Sequence, residues 1–520
     1  MNRIWSQITA FDDPTDRRTF LKLLAAGAAG GMLPGITACR CPAKMGVAER
    51  TKLRPPNFIL VLVDDLGWTD LSCFGSRYYE TPHIDRLASQ GMRFTNAYAA
   101  CAVCSPTRAA VMTGRYPARV GVTDWIRARF QGGRIPAPGE ELPAYVNADD
   151  GIDRKLRCPR NPWWMELEEV TLAEALKPAG YTSCHVGKWH LGMNHWYPPS
   201  QGFDKNIGGC DFGHPPSYFD PYYNKHQGYI PMLTPRREGE YLTDREADEA
   251  VKFIKDNRDR PFFLYMAHYA VHTPIQAKQD LIAKYEAKQP THQKNPTYAA
   301  MVHSVDDAVG RVVATLEELD LADNTVIIFT SDNGGLSDIE RIQGPTSNEP
   351  LRAGKGFPYE GGIRVPLIVR WPGVAQPGSV CEVPVTSVDY FPTLVPATGL
   401  KLPPDRAIDG ENLMPLLTQT GTLKRDAIYW HFPHYRPLWP EGLILPYSII
   451  RAGNWKLIKR YEGKTYELFN LRDDLGEQND LSERMPAKVR QLDARLTAWL
   501  KATGAKLPIE NPDYRPEEEP

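Results

Sequence analysis

Asn57-Phe58-Ile59-Leu60-Val61-Leu62-Val63-Asp64-Asp65 is an unbroken apolar run closed by two acids. A strand that is apolar at every position offers no face to water. The run therefore predicts the central strand of a parallel sheet covered on both sides. In open α/β sheets ligands gather at the carboxyl ends of the strands, where Asp64 and Asp65 stand. Adjacent carboxylates repel, so holding both at one strand end is easier beside a cation. A solvated turn is the plainer alternative.

Outward from this run the same pattern recurs. Thr182 to Val186, Pro261 to Ala267, Thr325 to Thr330 and Val365 to Arg370 read as further strands. Helical stretches alternate with them. One runs from Thr81 as N-cap to Gly91, and another from the capping box Thr171-Leu172-Ala173-Glu174 to near Gly180. Others cover Thr243 to Asn257, about Thr297 to Leu319, and Ser387 to Thr398. The fold class is α/β: a large mixed, mostly parallel sheet sandwiched by helices. Beyond Lys424 the character changes to short strands (Ala427 to Phe432, Ser448 to Arg451, Trp455 to Arg460, Tyr466 to Asn470) and a helix from Pro486 to Thr503, before an acidic tail. This predicts a small antiparallel sheet with one helix. The expected division is a leader over 1–38, a main domain over 55–424 and an α+β subdomain over 425–520.

Composition limits the partners. A net charge of −2 over 520 residues leaves no electrostatic footprint for nucleic acid. The nine cysteines are scattered, which argues against a disulfide scaffold. Asp16-Arg17-Arg18-Thr19-Phe20-Leu21-Lys22, followed by a small-residue apolar run to Ala38, is a twin-arginine export pattern. Ile36-Thr37-Ala38-Cys39 resembles a lipoprotein cleavage box, with ordinary signal cleavage as the alternative. The expectation is export through the Tat machinery to the periplasm or outer surface, with any membrane contact through a lipid on Cys39.

Several strand ends carry chemistry. Gly187-Lys188-Trp189-His190 places a cation and a proton carrier after one strand, and His272-Thr273-Pro274 follows another. Ser331-Asp332-Asn333-Gly334-Gly335 offers hard oxygens where glycines let the backbone approach closely. Lys355, between Gly354 and Gly356, can meet an anion from a loop. Taken singly, each is equally a packed or solvated turn. Residues 124–168 read as an irregular insertion and 211–229 as a rim loop; together with 431–436 they are expected to wall a pocket.

Cys104-Ser105-Pro106-Thr107-Arg108 reads as a loop entering a helix, with Pro106 in the first turn and Gly114 as the stop. Cys104 then stands at the helix N-terminus, which favours an anion, and Arg108 lies one turn on and can lean back toward it. A sulfur beside a fixed cation is a candidate nucleophile; a buried structural cysteine is the alternative. Cys101 with Cys104 also has thioredoxin-type spacing, which leaves Pro106 and Arg108 unexplained.

Cys104-x-Pro106-x-Arg108 with Thr113-Gly114-Arg115, together with the strand-end residues in matching order, resembles type I sulfatases of the alkaline-phosphatase-like superfamily. The resemblance covers roughly Pro56 to Asn470. It implies that Cys104 is oxidised to formylglycine by a formylglycine-generating enzyme and that its hydrate attacks a sulfate ester. It implies one Ca2+ held by Asp64, Asp65, Asp332 and Asn333 with residue 104. Arg108 and Lys188 would hold the hydrate and sulfate oxygens. Lys188, His272 and Lys355 would bind substrate, one of the latter two protonating the leaving alcohol, and His190 would deprotonate the second hydroxyl. From export and family together, a sulfated saccharide is the expected substrate. The nearest alternative is a formylglycine-dependent phosphonate monoester or phosphodiester hydrolase of the same superfamily. A silent glycan-binding lipoprotein is the alternative from another class.

Overall fold

The computed structural model describes residues 54–515, apart from 132–134, 138, 148–152, 235–236, 338–343 and 438–442. The twin-arginine run and Cys39 lie outside the described residues. Eight strands build the main sheet: β1 (Asn57–Val63), β2 (Met92–Phe94), β3 (Thr182–Gly187), β4 (Lys205–Ile207), β5 (Phe262–Ala267), β6 (Thr325–Ser331), β7 (Leu367–Arg370) and β8 (Ser379–Cys381). Their spatial order is β8-β2-β7-β6-β1-β5-β3-β4. β1 runs parallel to both neighbours, with Phe58 opposite Phe263 and Val326. β3 and β4 continue in parallel on one side, while β7 pairs antiparallel with both β6 and β2. The sheet is therefore mixed and mostly parallel, as the apolar runs predict.

The two-residue period of β1 divides its burial. Ile59, Val61 and Val63 pack in one cluster with α1 (Pro82–Gln90), α4 (Leu242–Asp256), α5 (Gln279–Glu286) and α6 (Pro296–Glu318). Phe58, Leu60 and Leu62 face a second cluster with α2 (Cys104–Thr113), α3 (Leu172–Leu176) and α7 (Tyr390–Ala397). Alternate side chains leave opposite faces of a strand, so apolar residues at every position require cover on both.

The C-terminal sheet contains β9 (Ala427–Phe432), β10 (Tyr447–Ala452), β11 (Trp455–Arg460) and β12 (Tyr466–Asn470), antiparallel throughout. One face, with Trp430, Ile449 and Ile458, packs against Tyr98, Cys101, Ala102 and Val103, the approach to Cys104. The other, with Ile450, Leu457 and Leu468, meets Leu492, Leu496 and Leu500 of α8 (Pro486–Thr503). This small sheet thus braces the loop that presents Cys104.

Local expectations fail where distant chain intervenes. Thr81 flanks α1 without a side-chain cap; its orphan N–H groups at His83 and Ile84 donate to Asp306 on α6 instead. The helix from Thr171 has its capping box but tightens into a 3-10 turn at Lys177–Ala179, where Pro178 removes a donor. The end of the chain is not all tail, since Ile509–Glu510 pairs with Leu156–Pro159 inside the supposedly irregular 124–168 segment.

Candidate active site

Because β1, β3, β5 and β6 are mutually parallel, their carboxyl ends lie along one edge. That edge receives Asp64 and Asp65 after β1, Lys188 after β3, His268 after β5 and Asp332 after β6. Asp64 is locked there by its own backbone, donating to Ala270 O at 2.9 Å and accepting from Val271 N at 2.8 Å. Asp65 adopts φ +60 and His190 φ +59. A left-handed conformation is costly for a histidine and clusters at functional sites.

The polar groups interlock. Arg108 forks onto Asp332 Oδ2 from Nε (2.9 Å) and Nη2 (2.7 Å), and its Nη1 donates to Lys188 O at 2.8 Å. Lys188 Nζ donates to Asp64 Oδ2 at 2.6 Å. Lys355 Nζ stands 2.6 Å from Asp65 Oδ1, and Asn333 Nδ2 donates to that oxygen at 2.7 Å. His272 Nε2 lies 3.5 Å from Asp65 Oδ2. The structure thus brings together every site residue expected from the sequence. Arg108, expected to lean back toward Cys104, stays within electrostatic reach of that residue, but its hydrogen bonds go to Asp332, with two guanidinium nitrogens converging on one carboxylate oxygen.

Cys104 is the first residue of α2, with Val103 as N-cap. Its Sγ lies 3.3 Å from His190 Nδ1, and His190 Nε2 lies 2.7 Å from Ile126 O. A carbonyl can only accept, so Nε2 carries the proton and the Nδ1 lone pair faces residue 104. Burial, then the charges of Lys188 and Arg108, drives the His190 pKa well below its ordinary value and keeps the ring neutral. Ser105 ties the two loops together, donating to His190 O at 2.9 Å and accepting from Ile126 N at 3.0 Å. Cys101 and Cys104 are both free thiols. Burial pushes Cys101 up to about 12, unlike a redox-active thiol.

The carboxylates test whether a cation fits. Burial and the like charge of Asp332 push Asp64 well above the usual carboxylate range, only partly offset by Lys188 and Arg108. Asp65 is also buried, but Lys355 and His272 hold it below that range. Asp64 Oδ1 and Asn333 Oδ1 are buried with no hydrogen-bond partner. Orphaned buried oxygens are costly, and a hard divalent cation takes such a set. The residues fit one, and Asp64, Asp65 and His272 already place ligand atoms within 4.8 Å of one another.

A cleft of about 150 Å³ opens above Cys104, His190, His272 and Lys355. Trp125, Gln131, His214 and Arg436 add to its wall. No single one of these four stands out in the sequence, although each falls in a segment expected to wall a pocket. Lys188, Arg108 and the carboxylates lie beneath the cleft rather than on its surface. His214 stacks on His272 with ring centroids 5.8 Å apart. His268, just past the end of β5, has Nδ1 2.5 Å from Glu246 Oε2, a partner no local pattern indicates.

Residues 56–400 match the family described as Sulfatase, and residues 353–505 the family described as N-sulphoglucosamine sulphohydrolase, C-terminal. A protein of Formosa agariphila named sulfatase is 33% identical, over 86% of this chain and 88% of its own length. Human N-acetylgalactosamine-6-sulfatase is 37% identical, over 72% of this chain and 68% of its own. The solved structure of Ps i-CgsB in complex with k-i-k-neocarrahexaose superposes with a TM-score of 0.70 at 30% identity, covering 86% of this chain and 93% of that one.

Proposed function

Since the chain belongs to the sulfatase family and is a sulfuric ester hydrolase, we propose that it removes sulfate from a sulfated saccharide using a formylglycine made from Cys104. The observation that carries this reading is the position of Cys104 at the head of α2, 3.3 Å from the bare nitrogen of His190 and open to the cleft. The names of two similar proteins, one an N-acetylgalactosamine-6-sulfatase and one solved in complex with k-i-k-neocarrahexaose, support a saccharide.

Asp64, Asp65, Asp332 and Asn333 would hold a calcium ion, which supplies positive charge against the oxygens of the bound sulfate. Oxidised to formylglycine, residue 104 would supply a hydroxyl as nucleophile toward sulfur. Arg108 and Lys188 hold Asp332 and Asp64 in register beneath the cleft. Lys355 and His272 line the cleft and face the sulfate; burial opposes the charge of Lys355, but Asp65 and Cys104 more than offset it and raise its pKa. Lys355, held charged, is the one placed to hand a proton to the departing alcohol, because burial and then the Lys355 charge drive His272 well below its ordinary value and keep its ring neutral. His190, protonated only at Nε2, takes a proton from a hydroxyl at position 104. Modification requires a formylglycine-generating enzyme, and the Arg17-Arg18 leader an export route through the Tat machinery.

The test is sulfate release from defined galactose and N-acetylhexosamine sulfates and an aryl sulfate, alongside phosphonate monoesters and phosphodiesters. Wild type is expected to turn over sulfates preferentially, and Cys104→Ala none. Faster phosphodiester turnover would transfer the assignment to the formylglycine-dependent hydrolases of phosphorus esters.

A further inference from the structure

The cations of the site are not equivalent. Arg108 is paired with Asp332, Lys188 with Asp64 and Lys355 with Asp65. Arg436 has no carboxylate partner among the described residues, and its Nη1 is buried with no hydrogen-bond partner at all. No aspartate or glutamate lines the cleft it faces. Unpaired buried guanidinium nitrogens are costly, and a charge kept so needs an anion to complete it.

The chain holds Arg436 there. It leaves the C-terminal sheet after β9 and pairs with Ile444 in a short antiparallel ribbon. The residues before it are anchored: His434 Nε2 lies 2.8 Å from Thr123 Oγ1, and the Tyr435 hydroxyl donates to Glu462. Gly356, next to Lys355, has φ +90, and a Cβ there would stand 2.9 Å from Arg436 Nη1. The guanidinium therefore rests on a backbone position kept bare, beside Lys355, whose charge it opposes. Two like charges thus line one small cleft, and only Lys355 has a carboxylate partner, Asp65, which is not among the lining residues.

Building on the sulfated-saccharide reading, we propose that Arg436 is a specificity residue that binds a second oxyanion of the substrate, next to the sulfate being removed. The substrate class is thus a saccharide carrying two anionic groups in close proximity. A planar guanidinium grips either a sulfate or a carboxylate bidentately, so the second group is a further sulfate ester or a neighbouring uronate.

The experiment uses full-length, modified enzyme and matched saccharides that differ by one added sulfate or one added uronate. The wild type is expected to prefer the dianionic member of a pair in kcat/KM. Arg436→Gln is expected to reduce that preference roughly 10- to 100-fold, the range of one charge-assisted contact. Arg436→Lys should restore part of it, which a folding defect would not allow. The pair that shows the preference identifies the second anion as sulfate or carboxylate. Equal kcat/KM within every pair for wild type, or a preference unchanged in Arg436→Gln, overturns the inference while leaving the sulfatase reading intact. Absence of sulfate release from all the saccharides by wild type would instead sink that reading.

Discussion

At the scale of single residues, the proposed chemistry separates groups that react from groups that hold. Cys104 and His190 face each other across 3.3 Å, with the histidine fixed by Ile126 O. His190→Ala removes a positioned proton acceptor and should lower kcat by roughly 10²- to 10⁴-fold with a smaller change in KM. Steady-state kinetics on an aryl sulfate checks this; a purely structural histidine would instead lower the fraction folded. Asp64 and Asn333 each leave a buried oxygen without a partner. Calcium should therefore stabilise the folded chain, by about 2.7 kcal/mol at a hundred times its dissociation constant. Thermal unfolding with and without calcium reads this independently of activity. Asp64→Asn and Asn333→Ala should shrink the shift; an equal shift in both variants would place the ion elsewhere. The Cys104-x-Pro106-x-Arg108 spacing was legible in the sequence because its meaning is local to one helix turn. The partner of Arg108 was not, because Asp332 lies 224 residues away and only the sheet brings it near. Trp125, Gln131, His214 and Arg436 were hidden for the same reason: loops gain their neighbours from the whole fold.

At the scale of elements, burial on both faces made β1, β5 and β6 readable, since their apolar runs admit no other placement. β2, β4 and β8 are three residues each, too short to carry a pattern, and are strands only because longer neighbours pair with them. The C-terminal strands showed alternation and turns and were legible one by one, but their packing behind the Cys104 approach was not. The sheet itself is held by its α8 face and by a buried charge cluster. Leu457 is fully buried between β11 and α8, so Leu457→Ala should cost ~2–5 kcal/mol, measurable by denaturant unfolding. Lys456 lies 3.0 Å from Glu360 and 2.8 Å from Glu477, one cation against two acids. Burial raises Glu477, Lys456 pulls it back, and Glu360 pushes it up again, from 4.5 to about 7. A carboxyl raised on folding contributes stability that is complete below its unfolded value and lost as pH rises through about 7. The melting temperature should thus fall between pH 5 and pH 8, and Glu477→Gln should flatten that fall. Identical pH slopes in calorimetry would place the proton on another group.

At the scale of the molecule, residues 64, 188, 272 and 332 meet because parallel strands deliver their ends to one edge, while α2, packed on one face of the sheet, brings residue 104 and the long loop after β6 brings residue 355. Chain order and site order are thus linked by topology, which is why a motif scattered over nearly 300 residues could be read as one constellation. The proposed substrate preference turns instead on Arg436 and the walls around it, where the C-terminal ribbon lies against the backbone of Gly356. Among the described residues, no helix is long and apolar enough to cross a membrane. The central claim concerns the chemical state of one atom group, and one measurement reaches it. Peptide mass spectrometry across position 104 can be set against specific activity in preparations made with graded amounts of a formylglycine-generating enzyme. Activity per molecule should rise in proportion to the converted fraction and extrapolate to zero when Cys104 is wholly thiol. Full sulfate turnover by a preparation carrying only the thiol would contradict the account.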